Sequence, residues 1–309
     1  MNKTKNVLDP NWITGFVDGE GCFTAGLYKD DKRRVGWHTR TYFQIKLHIR
    51  DKNLILKIKS FFNNVGRTWE NKDQNFIYYS VGKIEDLMNV IIPHFDKYPL
   101  ITKKSEDFTI WKIIVELMNK KNHLNKQGLL KIVNLRASLN KGLSDKLKIS
   151  FPDIIKVKRP RAIIPVNINY NWFAGFFSGE GCFLINLYKL KTQKANYRIS
   201  LRIIVGQHSR DEYLIKSFCD IFKNGNLKYY NNKNYIEFQI NKFKIIYNKI
   251  IPLFKEYKIE GEKLLDFQDF CKIAELMEKK SHLTSKGLDQ IREIKSRMNK
   301  ARYLINKRV

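Results

Sequence analysis

The chain has 309 residues, 58 of them Lys or Arg and 30 Asp or Glu, for a formal net charge of +28. That length accommodates two domains with cores of their own, and a basic excess spread through both halves calls for a polyanionic partner, nucleic acid foremost. No apolar run reaches the ~18 residues of a membrane span, and no basic amphipathic helix stands apart, which argues against a membrane partner.

The opening stretch from Met1 to Pro10 has no apolar segment of the secretory kind, so the protein is expected to work inside a compartment. Cys22, Cys182, Cys219 and Cys271 form no CxxC pair and do not cluster with histidine, which reads as buried thiols and not as a zinc site or disulfide framework. Richness in Lys, Asn, Ile, Tyr and Phe with little Pro, Ala or Gly suggests an AT-rich coding sequence, as in an organelle genome.

In chain order, Asp9-Pro10 reads as an N-cap followed by proline at the first helical position. The helix it opens carries Trp12-Ile-Thr-Gly-Phe-Val-Asp-Gly-Glu-Gly21, and the pattern returns as Trp172-Phe-Ala-Gly-Phe-Phe-Ser-Gly-Glu-Gly181, with Asn171 as the expected cap. Alternating stretches follow each motif, Cys22 to Tyr28 and Cys182 to Tyr188, and read as strands.

The next segment, His38 to His48, places Thr39, Thr41, Phe43, Ile45 and Leu47 on one face and Arg40, Tyr42, Gln44 and Lys46 on the other. Its counterpart, Asn196 to His208, turns Ile199, Leu201, Ile203 and Val205 inward and Arg198, Ser200 and Arg202 outward. Each segment leads into a helix, 51–62 and 211–222, then two short strands, Arg67 to Glu70 with Phe76 to Val81, and Asn226 to Tyr230 with Tyr235 to Asn241.

Helices close both halves, one of each set containing Ile-Ile-Pro at 91–93 and 250–252. The expected fold is therefore α+β, two copies of one unit, each with a sheet covered on one face only. Lys148 to Asn169, with Pro152, Pro160, Pro165 and the basic run Lys156 to Arg161, reads as a linker between an N-terminal unit, 1–147, and a C-terminal unit, 170–309.

With these residues in view, the two motifs resemble the signature helices of a single-chain LAGLIDADG homing endonuclease, of the kind carried by introns in fungal mitochondrial genes. The resemblance extends to Gln207-His-Ser-Arg-Asp211 and to Lys104 and Lys263. It implies a pseudo-two-fold pair of αββαββα units, with two antiparallel sheets forming a DNA-binding saddle and the signature helices at the domain interface. It implies a monomeric, mitochondrial enzyme that hydrolyses phosphodiesters at a long non-palindromic site in double-stranded DNA and leaves short 3′ overhangs.

On this resemblance Glu20 and Glu180 bind Mg²⁺, with the Gly19 and Gly179 carbonyls as further ligands; Mn²⁺ substitutes, and Ca²⁺ supports binding without cleavage. Two neighbouring carboxylates repel each other until a hard divalent cation bridges them, which suits this donor set. Lys104 and Lys263 are implied to stabilise the phosphate or position water. Gln207 is implied to lie near the metals, although simple alternation turns it inward and its counterpart is Leu47. Asp18 becomes Ser178 in the second copy, which points to a structural role. His123 and His282 stand at no metal-ligand spacing and read as packed or helix-start residues.

Base contacts are expected from Thr24, Tyr28, Arg40, Tyr42, Gln44, Lys46, Asn186, Tyr188, Arg198, Ser200, Arg202, Lys228, Tyr230, Glu237 and Gln239, since a two-stranded ribbon fits the major groove. A second reading, a group I intron RNA splicing maturase or a non-cleaving DNA-binding protein on the same scaffold, makes intron RNA an alternative partner. The retention of both glutamates favours the nuclease.

Overall fold

The computed structural model describes residues 7–163, 165–189, 197–299 and Arg302. Met1 to Asn6, Ile164 of the expected linker and Asn196 of the expected second long strand lie outside the described residues. The chain divides into two compact units, Met1–Val166 and Asn167–Val309.

In the first unit Asp9 keeps extended backbone and its Oδ1 accepts the Asn11 and Trp12 amides at 2.8 and 3.3 Å, so α1 (Pro10–Glu20) begins where a side-chain cap meets a proline. Strands β1 (Gly21–Lys29) and β2 (Trp37–His48) follow, then α2 (Lys52–Phe61), β3 (Arg67–Asn71) and β4 (Phe76–Val81). The sheet is antiparallel, in the order β1-β2-β4-β3.

Helix α3 (Ile84–Asp86) runs through a π-helical stretch, Leu87–Ile91, into α4 (Ile92–Lys97). Pro93 explains the wider turn, because it has no N–H to donate and its ring would press on the carbonyl one α-turn back. Helices α5 (Lys104–Asn119), α6 (Lys126–Ser138) and α7 (Asp145–Ser150) complete the unit.

The second unit repeats this order: α8 (Tyr170–Glu180), β5 (Gly181–Lys189), β6 (Tyr197–His208), α9 (Glu212–Phe222), β7 (Asn226–Tyr230) and β8 (Tyr235–Ile240), with sheet order β5-β6-β8-β7. It continues with α10 (Phe243–Ile245), a π-helical Ile246–Ile250 just before Pro252, α11 (Ile251–Glu256), α12 (Lys263–Glu278) and α13 (Ser285–Ser296). The architecture is α+β, two four-stranded antiparallel sheets each backed by helices.

Three expectations need correction. The cap of α8 is Asn169, not Asn171: Asn169 Oδ1 accepts the Asn171 and Trp172 amides at 2.8 and 3.3 Å, while Asn171 is already helical. The stretch read as linker begins inside α7, and its irregular part lies along the first unit. There Arg159 reaches Glu106 at 3.2 Å and Asp107 at 2.7 Å, and Val157 O accepts from Ser138 Oγ at 2.7 Å. The cysteines are not all buried: Cys22 is exposed because alternation turns it to the open face of the sheet, and Cys182, Cys219 and Cys271 are half-buried.

The core of each unit gathers around one phenylalanine of its first strand. Phe23 meets Phe43, Phe95, Phe108 and Trp111 at ring-centroid distances of 5.4, 5.4, 5.2 and 5.1 Å. Phe183 meets Phe177, Phe254, Phe267 and Phe270 at 4.9, 5.8, 5.3 and 5.0 Å. These rings fasten the inner face of each sheet to α5 or α12, and so fix the helices that carry Lys104 and Lys263 relative to the strands.

His94 lies within this packing, its Nε2 3.2 Å from Thr14 Oγ1, and burial pulls its pKa down from 6.5 to about 4. The unfolded chain takes up this proton first, so the stabilising effect is complete above about pH 6.5 and is lost as the pH falls towards 4. The loss amounts to about 3 kcal/mol. Urea denaturation between pH 7 and 4 should show this fall, and His94→Gln should flatten it; an unchanged slope would mean that His94 is not the titrating group.

Candidate active site and nucleic-acid face

Glu20 and Glu180 are the last residues of α1 and α8, where the free carbonyls of a helix end add negative potential to the carboxylate. Cations should collect there, and each unit brings a lysine to the place. Lys104 Nζ donates to Val17 O at 2.7 Å and Gly19 O at 3.1 Å, while Lys263 Nζ donates to Phe177 O at 3.1 Å and Gly179 O at 2.7 Å. Both lysines start their helices, α5 and α12.

Those helix starts are tied back to the motif helices. Asp18 is buried, and its carboxylate accepts Ile101 N at 3.0 Å, Thr102 N at 3.2 Å and Thr102 Oγ1 at 2.6 Å; Thr102 Oγ1 in turn accepts Lys104 N at 3.1 Å. Ser178 fills the same place with less, its Oγ donating to Ala174 O at 2.8 Å and accepting Glu260 N at 3.2 Å. The exchange of Asp for Ser between the repeats is thus an exchange between two ways of holding one loop.

Gln207 is brought to the glutamate of its own unit, its Nε2 lying 3.3 Å from Glu180 Oε1. No bulge is needed, since the β6–β8 pairing runs unbroken through Gly206, Gln207 and His208. The inner face of β6 simply runs out of core at this end. At the matching place Leu47 is buried, so the two units offer different surroundings.

Strand register explains what lies beside each glutamate. Gly21 pairs with Ile45 and Gly181 with Val205, so one further step brings Glu20 level with Lys46 and Glu180 level with Gly206. Lys46 Nζ sits over the Phe76 ring at 3.8 Å. Over Gly206 lies the phenol of Tyr235, so close that a Cβ there would stand 1.7 Å from its Oη. Burial first, then the carboxylates of Glu237 and Glu180, push the Tyr235 phenol pKa up.

The open face of the first sheet carries Thr24, Tyr28, Arg40, Tyr42, Gln44 and Lys46 as expected, with Tyr28, Arg40 and Lys46 exposed. A groove of about 800 Å³ runs among Tyr28, Arg40, Tyr42, Gln44, Arg67 and Trp69. Arg67, Trp69 and Tyr78 escaped the sequence reading. Trp69 and Tyr78 stack at 4.9 Å with planes 3° apart, and the Arg67 guanidinium lies 5.1 Å from the Trp69 ring. The repeat held the signal, because Trp69 and Tyr78 form the cross-strand pair that corresponds to Lys228 and Glu237.

In the second unit Asn186, Tyr188, Arg198, Ser200, Arg202, Lys228, Tyr230 and Glu237 all lie on the open face, at least partly exposed. Gln239 differs from expectation: it shares that face but is buried, its Nε2 donating to Glu237 Oε2 at 2.6 Å and its Oε1 accepting from Arg202 Nη1 at 3.2 Å. It orders its neighbours. Tyr230 Oη adds a bond to Glu237 Oε2 at 3.0 Å, and Lys228 Nζ lies 4.6 Å from the Tyr230 ring.

Among the described residues no three His, Cys, Asp or Glu side chains gather at metal-binding range. A closed protein cage is therefore not what these residues build. One carboxylate beside a peptide carbonyl fits a hard cation that keeps water and a phosphate oxygen in its shell. The Gly19 and Gly179 carbonyls already accept a lysine ammonium each, and a carbonyl has a second lone pair for a second cation. His123 and His282 sit in short 3₁₀ turns, Asn122–Leu124 and Ser281–Leu283, away from these groups in sequence and in role.

The LAGLIDADG endonuclease family model matches residues 13–115 and 173–274, one region in each unit. The chain is 41% identical over 94% of its length to a probable intron-encoded endonuclease 2, and 36% identical over 91% to a probable intron-encoded endonuclease 3, both of Neurospora crassa. It spans 65% and 52% of the length of these two relatives. Among solved structures, the LAGLIDADG homing endonuclease I-SmaMI bound to cleaved DNA superposes with a TM-score of 0.93 at 37% identity, over 96% of this chain and 98% of that one. The same protein on an uncleaved DNA target in the presence of calcium ions gives 0.92 at 37% identity, over 94% and 99%. With a family match in both units and relatives aligned over nearly its whole length, this chain belongs to the LAGLIDADG endonuclease family.

Proposed function

We propose that this protein is a monomeric, site-specific endonuclease that hydrolyses both strands of a long, non-palindromic DNA site, with Mg²⁺ as its cofactor and short 3′ overhangs as its product. One observation carries the reading: in each unit a helix-terminal glutamate and a lysine held on the adjoining carbonyls lie at the end of the strands whose open face is polar and cationic. A divalent cation held by Glu20 or Glu180 and the neighbouring Gly19 or Gly179 carbonyl would make water acidic and polarise the phosphodiester. The lysines add positive charge where the pentavalent phosphorus gathers negative charge. Gln207 orients Glu180 and can direct a water beside it.

The open faces differ in their residues, Lys46-Tyr78-Trp69 in one unit against Gly206-Glu237-Lys228 in the other, which favours unlike half-sites. Arg40, Arg198 and Arg202 suit guanine, Gln44 and Asn186 adenine, and Glu237 the amino group of cytosine. The relatives named as intron-encoded support an origin in a fungal mitochondrial intron.

Cleavage selection from a randomised duplex library with Mg²⁺ tests the proposal, which predicts a single long consensus cut on both strands. Binding without cleavage, to DNA or to intron RNA, would move the reading to the maturase or the non-cleaving binder. Affinity for the selected duplex should fall about tenfold or more between 50 and 200 mM salt, because phosphate contacts release counterions. A flat response in a filter-binding titration would contradict a DNA interface built on this charge.

A further inference from the structure

The two glutamates have different neighbours on the open faces of their sheets. Level with Glu20 stands Lys46, its ammonium over Phe76 at 3.8 Å. Level with Glu180 stands Gly206, with no side chain of its own, and the space above it is filled from β8 by Tyr235.

Tyr235 pairs with His208, two residues further along β6, so its ring leans back along the strand to bring the hydroxyl over Gly206. Any larger residue at 206 would collide with that hydroxyl, the atom at 1.7 Å from a built Cβ. Phe76 occupies the corresponding place on β4, pairing with His48, and has no hydroxyl to offer. What the second unit has in a phenol, the first has in an ammonium.

We propose that Tyr235 is a further active-site residue, peculiar to the second unit, whose hydroxyl donates a hydrogen bond to a non-bridging oxygen of the phosphodiester processed beside Glu180, and that Gly206 is glycine to admit it. The proposal rests on the endonuclease reading above. Lys46 serves the corresponding oxygen beside Glu20 through its charge. The two phosphodiesters are therefore hydrolysed in unlike settings, and loss of the phenol affects one strand alone.

The experiment uses the full chain on supercoiled plasmid carrying its target, following nicked and linear product in time and labelling each strand separately. Tyr235→Phe keeps the ring over Gly206 and removes only the donor; cleavage of one strand should slow about tenfold or more, with nicked plasmid accumulating, while the other strand keeps its rate. Gly206→Ala leaves the phenol in the chain but displaces its hydroxyl end, and should slow the same strand.

Target affinity in Ca²⁺ and the melting temperature should stay close to the parent for Tyr235→Phe, which separates a lost donor from lost folding. Unchanged kinetics in both variants, or equal slowing of both strands, would overturn the proposal. Failure of the parent chain to cut any duplex would instead overturn the endonuclease reading.

Discussion

Glu20→Gln and Glu180→Gln should each lower double-strand cleavage by at least roughly 10³-fold while leaving target affinity in Ca²⁺ equal or tighter. Glutamine keeps the shape of glutamate, and at position 180 it still offers an oxygen to Gln207 Nε2, so the local contact survives. What disappears is the charge at a helix end where charge has most effect on a cation. Gel-shift binding in Ca²⁺ and plasmid cleavage in Mg²⁺, measured on the same preparations, separate the two quantities. A variant that cuts within tenfold of the parent rate would remove the glutamates from the chemistry.

How far this site could be read from the sequence depends on what kind of information each residue carries. The repeated motif located Glu20 and Glu180 because duplication preserves spacing, and alternation in β2 and β6 marked the open faces because a sheet backed on one side sorts its residues by solubility. Lys104 and Lys263 were marked only by resemblance. In a chain with 58 Lys and Arg nothing local separates a lysine on a carbonyl from one in water.

Gln207 shows where a local rule stops. Alternation put it inward, and it does share the phase of Ile203 and Val205, yet the inner face at the end of β6 adjoins a helix terminus and not the core. Tyr235 was out of reach for a different reason. Its significance lies in a diagonal lean across two strands, which depends on an absent side chain at Gly206, and neither residue signals the other in the sequence. Gln239 was assigned by phase to the open face correctly, but its burial follows from Arg202 and Glu237 closing over it.

Asp18→Ala should destabilise the first unit by about 3–5 kcal/mol, well beyond the cost of about 1 kcal/mol expected for Ser178→Ala in the second. Asp18 is 1% exposed and accepts two backbone amides and a hydroxyl, so alanine leaves Ile101 N and Thr102 N without acceptors in a place water does not reach. Ser178 accepts one amide, from Glu260. The loop held by Asp18 leads directly into α5, and Lys104 closes the circuit by donating to the carbonyls of Val17 and Gly19, on either side of Asp18 itself.

Stability and catalysis are thereby joined at one residue that touches no substrate. Asp18→Ser, which installs the second unit's solution, should recover part of the stability and more of the cleavage rate than alanine does, because one acceptor still anchors the loop before Lys104. Urea denaturation with a probe in the first unit, paired with strand-resolved cleavage, measures both. If alanine at position 18 costs no more than alanine at position 178, the buried carboxylate is not what holds the lysine in place.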